Sequence, residues 1–233
     1  RDLISSSEHQ AQGMQLVAQR VDSAAAVSLM DLSVEAECFG SEIRVSDDEV
    51  PTVIGSIVTD EDEADALAVP EVGAGRTGLY IEAISKAAQA ITDRPVFAGV
   101  IGPYSLAGRL LDVSEAMVLC YEEPDMVHAV MEKTTAFLID YCKAYKAAGA
   151  NGVVMAEPLT GMLSPNLAEE FSHPYVERWT PCKTTASWCS TTTAATTWCS
   201  WRTPSLAWAL WAIISATPSG WRTCCPTPRR TGW

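Results

Sequence analysis

The stretch Pro95-Val96-Phe97-Ala98-Gly99-Val100-Ile101-Gly102-Pro103-Tyr104-Ser105 decides the fold. Its first part, Pro95–Ile101, is a continuous apolar run flanked by proline and glycine, as expected for a β-strand that is buried on both faces. Gly102–Ser105 then predicts a turn that leads into a helix over residues 106–111. A strand of this kind belongs in a parallel sheet that has helices packed on both sides.

The segments on either side of this stretch alternate between helix and strand patterns. Apolar spacing predicts helices over residues 7–20, 79–91, 114–121, 126–148 and 167–178, the last with Ser164 as its N-cap and Pro165 at its first position. Strands are predicted over Val21–Leu29, Val53–Val58 and Asn151–Ala156. Gly73-Ala74-Gly75 follows no strand and lacks a full phosphate-binding fingerprint. The pattern therefore predicts an α/β fold, a partial (β/α)8 TIM barrel, rather than an open doubly wound sheet.

The composition of the chain changes abruptly near residue 179. All eight Trp lie at or after Trp179, whereas all 29 acidic residues lie before it. A soluble domain needs acidic side chains on its surface, so an ordinary domain boundary does not sort residues in this way. We predict a barrel domain over residues 1–178 and an irregular tail without a defined domain over residues 179–233.

A shift of reading frame explains the composition of the tail. If each codon is offset by one base, the segment Thr191–Trp198 can be read as His-His-Asn-Cys-Gly-Asn-Asn-Val. We therefore interpret the tail as frameshifted. A true segment rich in Trp, Thr and Cys, such as a disulfide-bonded tail, is the alternative reading. The chain begins with Arg1, so we also expect that its natural start lies further upstream.

The charge and the apolar runs exclude several classes of function. The formal net charge is −13, and the part before residue 179 is more acidic still, so we expect no binding to nucleic acid or to an anionic membrane. The longest apolar run, Ala207–Ile214, is far shorter than the ~20 residues that a spanning helix needs. Cys38, Cys120 and Cys142 are isolated among apolar residues and predict buried thiols in a reducing compartment. We expect a cytoplasmic protein.

Three polar residues follow predicted strands: Asp31, Tyr104 and Glu157. In a barrel, the residues at the carboxyl ends of the strands form the active site. Two carboxylates and a phenol at one mouth can bind a cation, hold a metal or orient a basic substrate. Each also has a structural alternative: Asp31 as a helix cap, Tyr104 as a core or rim aromatic, and Glu157 as a loop carboxylate that accepts from backbone.

Three segments carry a resemblance to a known superfamily: Met30–Gly40, Gly102–Ala107, and Leu163–Pro165 with the helix that follows to Arg178. Together they resemble the uroporphyrinogen decarboxylase superfamily, and in particular its methylcobamide:coenzyme M methyltransferases. The resemblance covers about residues 14–178. It implies that a methyl group moves from a methylcobamide to a thiol such as coenzyme M.

The strand-end positions and the resemblance together give candidate roles to individual residues. Asp31 and Glu157 are the catalytic candidates, and Tyr104, Ser105 and Glu35 are the substrate-binding candidates. The intact protein is expected to use zinc, held in part by a His-X-Cys motif, together with a corrinoid or methylated corrinoid protein and a thiol substrate. The alternative-frame His-Asn-Cys-Gly falls over Thr192–Ala195, where this chain has only Thr and Ala, so we expect that this chain binds no metal.

Two other readings stay open at this point. The first is uroporphyrinogen decarboxylase itself, a cofactor-free decarboxylase of tetrapyrrole biosynthesis, in which an Asp at position 31 would steady the pyrrole nitrogens. The segment Val34–Glu37 and the alternative-frame His-X-Cys favour the methyltransferase. The second is a truncated or misread chain without activity, since a barrel that lacks its last strands leaves strand edges and apolar helix faces unpaired.

Overall fold

A computed structural model describes residues 2–179, 189–192 and 196–200, the last two ranges as backbone. The α-helices are α1 (Asp2–Ser5), α2 (Ser7–Arg20), α3 (Val34–Cys38), α4 (Glu61–Ala66), α5 (Thr77–Ala90), α6 (Pro103–Leu111), α7 (Val113–Glu122), α8 (Pro124–Ala147), α9 (Pro165–Phe171) and α10 (His173–Glu177), and a 3-10 turn spans Thr160–Met162. The strands are β1 (Ala26–Val27), β2 (Glu42–Arg44), β3 (Thr52–Ile54), β4 (Val96–Ile101), β5 (Gly152–Ala156), β6 (Cys189–Thr192) and β7 (Thr196–Ser200).

The larger sheet has the strand order β1-β4-β5-β7-β6. β1, β4 and β5 are parallel neighbours, and β4 pairs with β5 from Phe97–Gly152 to Ile101–Ala156. All of β4 is buried, which confirms the prediction of a strand covered on both faces. β7 pairs antiparallel with β5 and with β6, so a hairpin occupies the edge where a barrel would continue with another parallel strand.

The helices place a continuous apolar core against the sheet. α8 is the longest helix, and it buries a stripe of aromatic residues at helical spacing, Phe137, Tyr141 and Tyr145. α2 packs on α5, and α6 packs on both α7 and α8. This is the α/β arrangement that the alternating sequence pattern predicts.

The predicted helix over residues 7–20 is confirmed at both ends. The turn predicted for Gly102–Ser105 is wrong, because α6 already begins at Pro103. Proline fits the first turn of a helix since the N–H that it lacks has no partner there. Starting the helix three residues earlier brings the N–H groups of Tyr104 and Ser105 to the carboxyl end of β4.

The strand predicted for Val21–Leu29 is mostly wrong. Only Ala26 and Val27 form β1, and Val21 is 53% exposed. Val21 N–H donates to the Val17 carbonyl at 2.9 Å, so this residue ends α2 instead of starting a strand. Small residues and valine dominate this segment, and their side chains do not indicate where the turn ends and the strand pairing with β4 begins.

Two further elements differ from the sequence prediction. In Val53–Val58 only the first residues form a strand, in a separate hairpin of β2 and β3, and the N–H groups of Ile57 and Val58 donate to the Leu110 carbonyl. The helix predicted over residues 167–178 is split at Ser172 into α9 and α10. Its predicted N-cap is confirmed, since Ser164 Oγ accepts from Leu167 N–H at 3.4 Å.

The predicted thiols and tail have different outcomes. Cys120 and Cys142 are buried as predicted, whereas Cys38 is only partly buried. Residues 180–188, 193–195 and 201–233, which include most of the proposed frameshifted tail and of its alternative-frame motif, lie outside the described residues. Trp179, the first residue of the predicted tail, is 2% exposed and belongs to the core. Within the described ranges, no helix has the length and apolarity that a bilayer span requires.

Candidate functional site

The carboxyl ends of β1, β4 and β5 lie side by side because these strands are parallel neighbours. Asp31 follows β1, the start of α6 follows β4, and Glu157 follows β5 directly. Asp31, Glu157 and the first residues of α6 therefore lie at the carboxyl ends of the strands, where barrel enzymes place their active sites.

Asp31 is buried and its carboxylate is saturated with donors. Oδ1 accepts from Ser33 N–H at 3.0 Å and from Ser33 Oγ at 2.6 Å. Oδ2 accepts from Arg76 Nη1 at 2.6 Å and from Tyr80 OH at 3.3 Å. An ionised carboxylate has about four lone-pair positions, so these contacts leave no acceptor position open on Asp31.

Arg76 joins the loop after β1 to the start of α5. Besides Asp31, its guanidinium donates to Glu37 from Nε at 2.5 Å and to Ser33 Oγ from Nη2 at 3.0 Å. Burial opposes the charge of Arg76, but the bonds and charges of Asp31 and Glu37 outweigh it, so the pKa of Arg76 is raised. The result is a fixed polar cluster that holds α3 against α5.

Glu35 is 3% exposed and only partly satisfied. Its Oε1 accepts from Ile101 N–H, at the end of β4, at 3.2 Å. Its Oε2 is buried without a hydrogen-bond partner. Burial raises the pKa of Glu35 to about 7, with Asp31 acting in the same sense and the Ile101 N–H and Arg109 opposing it. A carboxyl of this kind can hold or release a proton near neutral pH.

Glu157 accepts from the first N–H groups of α6. Oε1 accepts from Tyr104 N–H at 2.7 Å, and Oε2 accepts from Ser105 N–H at 2.9 Å and from Ser105 Oγ at 2.5 Å. A Cβ on Gly102 would lie 2.1 Å from Cγ of Glu157, so this approach requires glycine. Burial raises the pKa of Glu157 to about 7, although the donors from Ser105 and Tyr104 oppose the shift.

Tyr104 and Ser105 are both buried, and the hydroxyl groups of both side chains already have partners. Tyr104 OH lies 3.5 Å from the Ala116 carbonyl and 3.5 Å from Cys120 Sγ, on α7. Ser105 Oγ donates to Glu157 and accepts from Leu159 N–H at 3.1 Å. The structure therefore groups Asp31 with Glu35 electrostatically, and Ser105 with Glu157, while the phenol of Tyr104 points to the helices. The roles predicted for these residues stay predictions.

Sequence reasoning missed Arg76, Tyr80 and Arg109, which surround Asp31 and Glu35 in space. A signal for Arg76 was present, because Gly73 and Gly75 both adopt positive φ. These glycines shape the turn that places Arg76 at the start of α5. Nothing in the local sequence of Arg109 indicates that it approaches two carboxyl groups.

The donors of a metal site are not assembled in the described part of the chain. Within those ranges, no three side chains of His, Cys, Asp or Glu come close enough to hold a metal ion. His128 bonds to Tyr175 OH at 2.7 Å and stacks on Phe171, so it serves the packing of α8 with α9 and α10. The zinc that the resemblance implies therefore finds no fitting ligand set among these residues.

This geometry defines a partial (β/α)8 barrel, called the half-barrel below, with buried carboxyl groups at the ends of its parallel strands. The sequence model of uroporphyrinogen decarboxylase (URO-D) matches residues 1–181, and the chain belongs to that family. The chain is 30% identical over 163 residues to the uroporphyrinogen decarboxylase of Myxococcus xanthus, a match that covers 66% of this chain and 45% of that protein.

Methyltransferases are also among the relatives. The methylcobamide:CoM methyltransferase MtbA of Methanosarcina acetivorans is 28% identical over 153 residues, which is 64% of this chain and 44% of that protein. A solved methyltransferase from Methanosarcina mazei superposes with a TM-score of 0.71 at 23% identity, covering 76% of this chain and 54% of that one. The likeness confirms the partial barrel fold. The chain spans less than half the length of these two curated relatives.

Proposed function

We propose that this chain carries part of the active site of a corrinoid-dependent methyltransferase, which moves a methyl group from a methylcobamide to a thiol such as coenzyme M. The similarity to a methylcobamide:CoM methyltransferase supports the proposal. The expected partners of the intact protein are a methylated corrinoid protein and the thiol. Both a carboxy-lyase and a methyltransferase are among the relatives, and we propose that this chain is of the methyltransferase type.

The saturated carboxylate of Asp31 is the observation that carries the proposal. A decarboxylase of this family would use an Asp at this position to accept hydrogen bonds from pyrrole N–H groups. Here Ser33, Arg76 and Tyr80 already supply four donors to it. A pyrrole would have to displace one of them, and one of those bonds belongs to a buried ion pair.

Glu35 is the group that we assign to the proton of the reaction. Methyl transfer to a thiol forms a carbon–sulfur bond, breaks the bond between the methyl group and the corrinoid, and releases the thiol proton. A free thiol has a pKa near ~8.5 and is a poor nucleophile until it is deprotonated. Burial raises the pKa of Glu35 to about 7, so that its carboxylate form can accept this proton near neutral pH. Because the described residues do not fit zinc, no step is assigned to a metal.

The decarboxylase stays the second candidate, because a uroporphyrinogen decarboxylase is 30% identical to this chain. In that reaction Glu35 would deliver a proton to the carbon that loses carbon dioxide. As a third reading, we propose that the chain as written has no activity, since Thr and Ala occupy the positions of the alternative-frame His-X-Cys motif.

The test compares two proteins: the chain as written, and the product of a gene in which one base at the codons for residues 177–180 restores the alternative frame. Each is assayed with methylcobalamin and 2-mercaptoethanesulfonate for the methyl thioether, and with uroporphyrinogen for loss of carboxyl groups. We expect thioether from the restored protein and no turnover from the chain as written. Decarboxylation without thioether formation would refute the methyltransferase.

A further inference from the structure

Arg109, on α6, is half-buried, and its guanidinium has no hydrogen-bond or ion-pair partner among the described residues. Its Nε is buried and makes no hydrogen bond. None of the ion pairs and side-chain hydrogen bonds found among residues 2–179 involves Arg109, whereas Arg76, Arg94 and Arg178 are each paired with a carboxylate. Buried polar groups in native proteins are almost always satisfied, so an unpaired guanidinium needs an explanation.

The charge of Arg109 is felt by both carboxyl groups at the mouth, but neither contacts it. Burial lowers the pKa of Arg109, while Glu35 and Asp31 act in the opposite sense. Asp31 is already engaged by Arg76. Glu35 keeps its proton up to about pH 7, so below that pH it does not neutralise Arg109. Arginine stays protonated in proteins, and the site therefore holds a positive charge that no described group balances by contact.

We propose that Arg109 binds the anionic group of the substrate, a carboxylate or a sulfonate, beside Glu35. This inference rests on the proposed function and narrows its substrate to a thiol that carries an acidic group. A guanidinium presents a planar fork of N–H donors that matches an oxyanion in two parallel hydrogen bonds. An anion at Arg109 leaves the carboxyl group of Glu35 free, in its carboxylate form, to accept the proton of the thiol at the other end of the same molecule.

The placement of Arg109 supports this role. Arg109 lies in the last turn of α6, close enough to Glu35 and Asp31 for its charge to act on both carboxyl groups. The loop that contains Ile57 and Val58 is bonded to the Leu110 carbonyl, so the backbone beside Arg109 is held in place. A charged group on a rigid element positions a ligand more accurately than one on a free loop.

Binding is tested on the full chain without turnover, so that its failure is distinguishable from a failure of the methyl-transfer assay. The probes are sodium ethanesulfonate, sodium propionate and inorganic phosphate, titrated by calorimetry and thermal unfolding at constant ionic strength near pH 6. We expect saturable binding of ethanesulfonate or propionate by the chain as written. R109M should weaken it roughly tenfold or more, and R109K less, since lysine keeps the charge but loses the fork.

R178M is the matched control, because Arg178 is an exposed arginine paired with Glu132. R178M should bind the probes as the chain as written does. Tighter binding of ethanesulfonate than propionate would indicate a sulfonated thiol, and the reverse a carboxylated substrate; either supports the anion site. The inference would be overturned if R109M and the chain as written bound the probes with equal affinity, or if the chain as written showed no saturable binding. The alternative is that Glu35 and Arg109 form an ion pair with each other. In that case E35Q and R109M will destabilise the chain non-additively and leave anion binding unchanged, and this result also overturns the inference.

Discussion

Replacing Asp31 with asparagine tests the polar cluster at the mouth of the half-barrel. Asparagine keeps the size of the side chain but offers one acceptor oxygen in place of two. Whichever way the amide is oriented, its NH2 group then faces donors: Ser33 N–H and Oγ in one orientation, Arg76 and Tyr80 in the other. The substitution also leaves Arg76 without its most buried counter-charge.

The expected loss follows from the burial of the pair. The side chain of Asp31 is 3% exposed and that of Arg76 is 16% exposed. Removing one partner of a buried ion pair typically costs about 3–5 kcal/mol. Arg76 keeps its bond to Glu37, so we expect D31N to lower the free energy of unfolding by about 2–4 kcal/mol.

Urea unfolding, followed by circular dichroism at neutral pH, measures this change. E132Q is the control, because Glu132 forms an exposed pair with Arg178 and such pairs contribute about 0–1 kcal/mol. The double substitution D31N with R76M should cost less than the sum of the single ones, since the unpaired charge is removed. A loss below about 1 kcal/mol for D31N would refute the ion-pair reasoning.

Three further expectations concern stability. G102A should lower the free energy of unfolding in urea by about 2 kcal/mol or more, because the added Cβ would lie 2.1 Å from Glu157 Cγ. G13A in α2 is the control: its Cβ has room, and it should raise the free energy of unfolding by about 0.5–1 kcal/mol. Equal effects of the two substitutions would contradict this expectation. Burial raises the pKa of Glu35 from 4.5 to about 7, so the native state binds more protons than the unfolded state between these pH values. Stability should therefore fall as the pH rises from 4.5 to about 7, by about 3 kcal/mol at ~1.4 kcal/mol per pH unit. E35Q should lack this part of the fall, and an unchanged slope of E35Q over the same pH range would count against the prediction. Zinc or a chelator should leave the unfolding temperature of the chain as written unchanged; stabilisation by zinc would show a metal site.

The sequence predicted best where one physical signal dominated. β4 was predicted because a strand covered on both faces has no polar positions, and α2 was predicted because its cap and apolar spacing agree. The strand predicted for Val21–Leu29 is too long, because valine and alanine fit a strand, a helix end or a turn about equally well. There the hydrogen bond from Val21 N–H to the Val17 carbonyl decided the structure.

The candidate site shows the same division. Asp31 and Glu157 could be placed at the strand ends because parallel order fixes which ends meet. Arg76, the partner of Asp31, could not be predicted, because it reaches Asp31 from the start of α5, which is distant in sequence. Tyr104 was expected at the mouth because it follows a strand, but it lies in the first turn of α6, where its phenol faces the Ala116 carbonyl on α7. Its predicted role in substrate binding stays a prediction.

Trp179 connects the reading-frame interpretation to the structure. It is the first residue after the acidic part of the chain, it lies inside the family match, and its side chain is 2% exposed. Its indole N–H is buried without a hydrogen-bond partner, a condition that costs about 1–3 kcal/mol. An offset frame would place Leu, Met or Val at a codon for Trp, and each of these fills an apolar position without a donor to satisfy. Whether the offset frame applies at this codon stays a prediction, which resequencing across the codons for residues 177–180 decides.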